Sequence, residues 1–174
     1  MLINGNVETV NICVKELTRD EFCDRRENFD LILGLDEYDG GPQLCYYDIM
    51  LHIDSNIINF ALINRFVGIH PQIEIFDGKV IIGNNNTLSI VDIATKQIKD
   101  FAIFIFYEFI ICRDLIVVVG ELSAFCLKND ELFWVKDNFG DIIDIDNFEN
   151  DILTLVTYEE QKEIRIDVNT GKII

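Results

Sequence analysis

Three stretches of one design recur along this chain at a fixed interval. Asp77-Gly-Lys-Val-Ile-Ile-Gly83, Asp114-Leu-Ile-Val-Val-Val-Gly120 and Asp151-Ile-Leu-Thr-Leu-Val-Thr157 begin 37 residues apart, twice over. Each joins a turn-forming Asp to an apolar run of strand length, and two end in Gly, where a chain turns or another backbone comes close. A period of this size marks stacked units, none of which buries its apolar face alone. A fourth copy, Asp30-Leu-Ile-Leu-Gly34, begins 47 residues before Asp77, and the extra length falls in the turn-rich loop from Asp36 to Gln43.

The second half of the unit recurs too. Ser89-Ile-Val-Asp-Ile-Ala-Thr-Lys-Gln-Ile98 matches Ile164-Arg-Ile-Asp-Val-Asn-Thr-Gly-Lys-Ile173, with Asp92 and Asp167 close to two periods apart. Both read as hairpins whose turns follow the Asp. Ala124 to Trp134 keeps the pattern with Asn129-Asp130 at its turn, and Asp54 marks a degenerate first copy. Thirteen Phe against two Pro fit a pleated, half-buried surface. The expected class is all-β, with one short N-terminal helix where Thr18 and Glu21 form a capping box ahead of Phe22. No Pro-, Ser- or Gly-rich linker divides the chain, so one domain is expected over 1–174. It comprises a strand-and-helix piece over 1–29 and four β-repeats over 30–174, starting near Asp30, Asp77, Asp114 and Asp151.

The strand, turn, strand unit with its corner of apolar-Asp-apolar-x-Thr-Gly-Lys resembles the blades of quinoprotein-type and WD-repeat-like β-propellers over residues 30–174. The period is shorter than a WD blade of about 40 to 45 residues, and the Trp-Asp and Gly-His signatures are absent. Closed propellers have about four to eight blades. The resemblance therefore implies an open arc, a half-propeller, or a last sheet completed by the N-terminal strand Val7 to Val14.

Charge narrows function. With 31 acids against 14 bases the formal net charge is −17. Nucleic acid and anionic membranes are disfavoured as partners, because both are bound by Lys and Arg; a basic protein is the complement. Solubility alone is the plainer reading of such acidity. Five cysteines, Cys13, Cys23, Cys45, Cys112 and Cys126, show neither disulfide nor zinc spacing, and the start has no signal-peptide pattern. A cytoplasmic location and no cofactor are expected. The apolar stretch from Phe101 to Val119 is broken by Glu108, Arg113 and Asp114 and reads as consecutive strands rather than a membrane span.

No residue set makes a catalytic site. His52 and His70 stand alone, Ser55, Ser89 and Ser123 lack a nucleophile elbow, and Gly40-Gly41-Pro42 lacks the Lys of a phosphate loop. The run from Asp141 to Glu149 has the wrong spacing for a calcium loop. Alternation explains it, with Ile143 and Ile145 facing a core and Asp144 and Asp146 facing out. Metal is therefore not expected. What remains is a negative surface: eight acids lie between Asp130 and Asp151 against the single Lys136. The candidate contact residues are Asp36, Glu37, Tyr38, Asp39, Asp137, Asp141, Asp144 and Asp146. Tyr46 and Tyr47 read either as further aromatic anchors or as ordinary sheet packing.

In size, charge and β-architecture the chain resembles the bacterial immunity proteins of contact-dependent growth inhibition and related polymorphic toxin systems. That resemblance implies a small cytoplasmic protein that binds one basic toxin, often an RNase or DNase, and covers its active site. The carboxylates would then mimic phosphates. Two other readings are a propeller-like scaffold for protein–protein interaction and a hydrolase built on an unrecognised acid pair.

Overall fold

The computed structural model describes residues 10–34, 44–53, 56–65 and 70–174. The protein is mostly β, in four small sheets with one short helix. It forms two compact units, 1–70 and 71–174.

In the first unit, β1 (Val10–Leu17) leads into α1 (Arg19–Arg25), followed by β2 (Leu31–Leu33), β3 (Cys45–Ile53) and β4 (Asn56–Asn64). The helix starts where the capping box predicts. The Thr18 hydroxyl accepts from the Glu21 amide, and the Glu21 carboxylate accepts from the Thr18 amide at 2.8 Å. Phe22 is thereby turned inward and packs with Leu17, Tyr46, Ala61 and Ile63. Arg25 reaches the buried Asp48 carboxylate at 2.6 Å, which holds the helix to β3 and satisfies one oxygen of a charge that would otherwise be costly to bury. The sheet order is β1-β3-β4-β2.

Two expectations are corrected here. The N-terminal strand pairs antiparallel with β3, from Val10 opposite Ile53 to Leu17 opposite Tyr46, and so completes the first sheet rather than the last. The Asp30 copy is not equivalent to the other three: its strand, β2, lies at a sheet edge and runs parallel to β4. Asp54 lies outside the described residues, as does the loop from 35 to 43.

The second unit contains β5 (Gln72–Phe76), β6 (Lys79–Asn84), β7 (Thr87–Asp92) and β8 (Ile98–Ala102), which form the second sheet. The third sheet is β9 (Phe106–Cys112), β10 (Leu115–Gly120), β11 (Ala124–Lys128) and β12 (Glu131–Lys136). The fourth is β13 (Ile143–Glu149), β14 (Ile152–Thr157), β15 (Glu163–Asp167) and β16 (Lys172–Ile173). All three are antiparallel meanders whose strands pair in chain order. The last sheet thus supplies its own fourth strand. Residues 98–120 are three successive strands, and among the described residues no helix is long and apolar enough to cross a membrane.

Two-residue turns separate the first and second strands of each meander. Asp77-Gly78 and Asn150-Asp151 have positive φ at both positions, the geometry that matches the twist of a hairpin. The strands that follow begin at Lys79, Leu115 and Ile152, so Gly78, Asp114 and Asp151 are the equivalent residues and the first copy is offset by one from the sequence alignment. The Asp92 and Asp167 hairpins match closely. In each, the carboxylate accepts from the Thr three residues on, Thr95 or Thr170, and the next residue, Lys96 or Gly171, takes positive φ.

Strand β10 shows how the sheets stack. Ile116 and Val118 join Ile81, Leu88 and Ile90 in one core, while Leu115, Val117 and Val119 join Leu153, Leu155 and Ile166 in the next. Period-two alternation sends one β10 side chain to each neighbour, which is why its run is apolar throughout. Strand β14 differs: Leu153, Leu155 and Thr157 are buried while Ile152, Thr154 and Val156 are only half-buried. The Gln72 side chain further ties β5 to β9, donating to the Phe109 carbonyl at 2.9 Å and accepting from its amide at 2.8 Å.

Candidate functional site

Where the third and fourth sheets meet, β9, β10, β13 and β14 enclose an open cleft of about 760 Å³. Tyr107 and Glu108 come from β9, Asp144 and Asp146 from β13, and Tyr158 from the turn after β14. Val119, Ile142 and Val156 add apolar wall. Its described lining contains no Lys, Arg or His.

Local geometry explains each placement. Phe106 and Ile143 are both fully buried and lie one repeat period apart, so Tyr107 and Asp144 occupy equivalent positions on adjacent sheets. Ile143 and Ile145 face the core while Asp144 turns outward, as alternation predicts. Asp146 is displaced for another reason. The β13–β14 register runs from Ile145 opposite Leu155 to Asn147 opposite Thr154, leaving Asp146 as the extra residue of a bulge. A bulge re-aims a side chain out of the ladder. Tyr158 donates its amide to the Ile142 carbonyl at 2.8 Å, and the residue is 73% exposed.

The electrostatics are one-signed. Burial raises the Tyr107 hydroxyl above its usual range, and the charges of Glu121 and Asp144 raise it further. It therefore stays protonated, able to donate and to accept. Burial likewise raises the Cys112 thiol and takes Cys126 up to about 12, so neither is a thiolate at neutral pH.

Of the residues expected at a partner-binding surface, the cleft lining includes Asp144, whose carboxylate accepts from the Ile145 amide at 2.8 Å, and Asp146. Asp137 is exposed on the segment between β12 and β13, outside the cleft lining. Asp141 is engaged in the fold: its carboxylate accepts from the Ile142 and Glu159 amides, each at 2.7 Å, and so shapes the turn carrying Tyr158. Asp36, Glu37, Tyr38 and Asp39 lie outside the described residues. Tyr46 and Tyr47 are buried on β3, with Tyr46 stacked on Phe22, so their role is packing.

The uniform acidic field expected between Asp130 and Asp151 is interrupted. Asp130 pairs with Lys79 of the second sheet, and Arg113 of the third sheet pairs with Asp151 of the fourth at 3.1 Å. These bridges join neighbouring sheets and consume two of the eight acids. Sequence reasoning missed Tyr107, Glu108 and Tyr158. The usable signal for the first was the repeat itself, which sets Tyr107 one period before Asp144; nothing local marks Tyr158.

Among the described residues no group of three or more His, Cys, Asp and Glu is placed to hold a metal. No family model matches the sequence, and no curated protein does. A solved structure of Kluyveromyces lactis Hsv2 with its complete loop 6CD is similar over 75% of this chain, at 8% identity and a TM-score of 0.36. The chain spans 58% of that protein's length, and a likeness so distant carries no argument about function.

Proposed function

We propose that this protein is an acidic immunity protein that binds a cognate basic toxin, a nuclease, in the bacterial cytoplasm and neutralises it by covering the active site. In this reading the molecule performs no chemistry. Its carboxylates occupy the places on the toxin that nucleic-acid phosphates would take. The observation that carries the proposal is the cleft itself: Glu108, Asp144 and Asp146 share one concave surface with Tyr107 and Tyr158, and no basic residue is among its described lining. A one-signed cleft steers an oppositely charged partner and raises its on-rate by about 10- to 1,000-fold.

The scaffold belongs to the same proposal. We read the three meanders of the second unit as propeller-like blades in an open arc. Three features support this: the strands pair in chain order, successive sheets stack face to face through separate cores, and β14 is buried on one face only. A sheet closing a ring would be fully buried on both faces, as β10 is.

The proposal requires a basic toxin domain encoded beside this protein, and its absence would count against the reading; with that domain, the test is binding and protection. Wild type should bind it and rescue growth. The combined Glu108→Gln, Asp144→Asn and Asp146→Asn variant should bind at least tenfold more weakly, chiefly through a slower on-rate. Equal affinity of the two proteins at low and high salt would overturn the proposal.

A further inference from the structure

We propose that β12 is a docking edge for a second copy of this chain: two molecules pair antiparallel through it about a two-fold axis, with Glu131 of each opposite Lys136 of the other.

Strand β12 is one edge of the third sheet, and β9 is the other. Among the described residues no further strand pairs with it, and the outward N–H and C=O groups of such an edge are a template for another strand. Proteins guard their edges with charge, proline or brevity. This edge is six residues long, has no Pro, and carries charge only at its ends, on Glu131 and Lys136. Between them Leu132, Phe133 and Val135 are 56%, 45% and 46% exposed, a run of large apolar side chains of the kind that marks an interaction site. Trp134 is turned the other way and donates its indole N–H to the Val168 carbonyl of the same chain at 2.7 Å.

The sequence of the strand indicates what covers it. Set against itself in the opposite direction, Glu-Leu-Phe-Trp-Val-Lys places Glu131 opposite Lys136 and Leu132 opposite Val135. Opposed residues of a two-fold antiparallel pair share one face of the sheet, whereas in a regular strand residues an odd number of positions apart lie on different faces. Strand β12 is not regular. Its register runs from Leu132 opposite Leu127 to Trp134 opposite Cys126, leaving Phe133 as the extra residue of a bulge. Leu132 and Val135 therefore stand opposite Leu127 and Phe125, on the face of the core shared with the second sheet. Glu131 and Lys136 stand opposite Lys128 and Ala124, on the other face, with Cys126. The bulge thus gives both pairs the arrangement that the two-fold needs.

Charge favours this approach of two acidic molecules over others. The chain is −17 overall, yet the hairpin from Lys128 to Lys136 holds two bases and two acids. Lys128 and Asp130 are taken up by Asp114 and Lys79. Among the described residues no ion pair engages Glu131 or Lys136, and a second copy supplies each with its opposite. The cleft draws on β9 and not on β12, so pairing here leaves it open.

The test is sedimentation equilibrium of the full-length chain over a range of concentrations, with amide hydrogen exchange as the local readout. Wild type should associate to a dimer and no further, and the amides of β12 should gain protection as it does. Leu132→Lys, at an exposed position, should keep the melting temperature of the dilute protein and weaken the dimer by about tenfold or more. The charged ends report the register. Glu131→Lys alone and Lys136→Glu alone should each weaken the dimer by about threefold or more, because like charges then oppose one another at both ends; the two together should restore it to within about twofold of wild type. A wild type that stays monomeric at every concentration, a dimer indifferent to Leu132→Lys, or a combined charge variant no tighter than the single ones would overturn the inference. The partner-binding proposal fails on a separate result, that of the triple carboxylate variant, none of whose positions lies in β12.

Discussion

At the scale of single residues, several contacts of the second unit require that a side chain be missing. A Cβ on Gly83 would lie 2.0 Å from the Phe106 ring, and Phe106 is fully buried with nowhere to retreat. A Cβ on Gly120 would meet the Phe104 carbonyl at 2.7 Å. These glycines end the apolar runs that define the repeat, and they admit the chain segment passing from β8 to β9. Gly83→Ala is expected to destabilise the protein by roughly 1–3 kcal/mol through overpacking. Gly78→Ala provides the contrast, since nothing lies within 4 Å of its Cβ and only the positive φ is strained, at about 1–2 kcal/mol. Urea unfolding of both variants checks the order, and a Gly83→Ala protein as stable as wild type would show that Phe106 can repack.

Elements owe their boundaries to short-range bonds, and these respond to acid. The Thr18 amide and hydroxyl and the Lys15 ammonium hold the Glu21 carboxyl below its usual 4.5, and the Thr95 amide and hydroxyl hold that of Asp92 below 3.8. A lowered folded-state pKa means that the unfolded chain takes up the proton first as pH falls. Both contributions are therefore complete above the unfolded values of 4.5 and 3.8, and they disappear as pH falls through the lowered ones. Thr18→Ala is expected to cost about 1 kcal/mol at neutral pH, the usual worth of an N-cap. Its deficit relative to wild type should shrink towards pH 3. Paired thermal melts at neutral and acid pH measure this, and a deficit that stays constant would show that the Thr18 hydroxyl's bond to the Glu21 carboxylate, the pH-dependent bond that the variant removes, adds nothing. Between elements, the turn carboxylates act as fasteners: Asp130 on Lys79 joins the third sheet to the second, and Asp151 on Arg113 joins the fourth to the third.

For the molecule as a whole, the surplus of 31 acids over 14 bases means that folding compresses like charges. The inter-sheet ion pairs offset only part of this. Raising salt from about 0.01 M to about 0.1 M shortens the screening length from roughly 30 to 10 Å. The melting temperature should therefore rise by a few degrees while affinity for a basic partner falls. A melting temperature that dropped with salt would show that attraction within the fold outweighs repulsion.

Much of the fold was legible because its determinants are close together in the chain. The Thr18–Glu21 box spans four residues, the Asp92 and Asp167 turns close on the Thr three places later, and the unbroken apolar run of β10 announces a strand covered on both faces. The period of the repeat likewise marked the turn between the first and second strands of each meander, not the meander's start at Gln72, Phe106 or Ile143, and the first copy is out of phase because Asp77 imitates a turn position that Gly78 holds. Pairing across longer distances was not legible: β1 on β3, β2 parallel to β4, the bulge that turns out Asp146, and the meeting of Tyr107 and Glu108 with Asp144. Composition established that the chain is strongly acidic. Only the tertiary structure decided which acids fasten one sheet to another and which remain facing a common cleft, because a carboxylate's partner depends on which turns and strands are brought side by side, and that follows from how whole sheets stack.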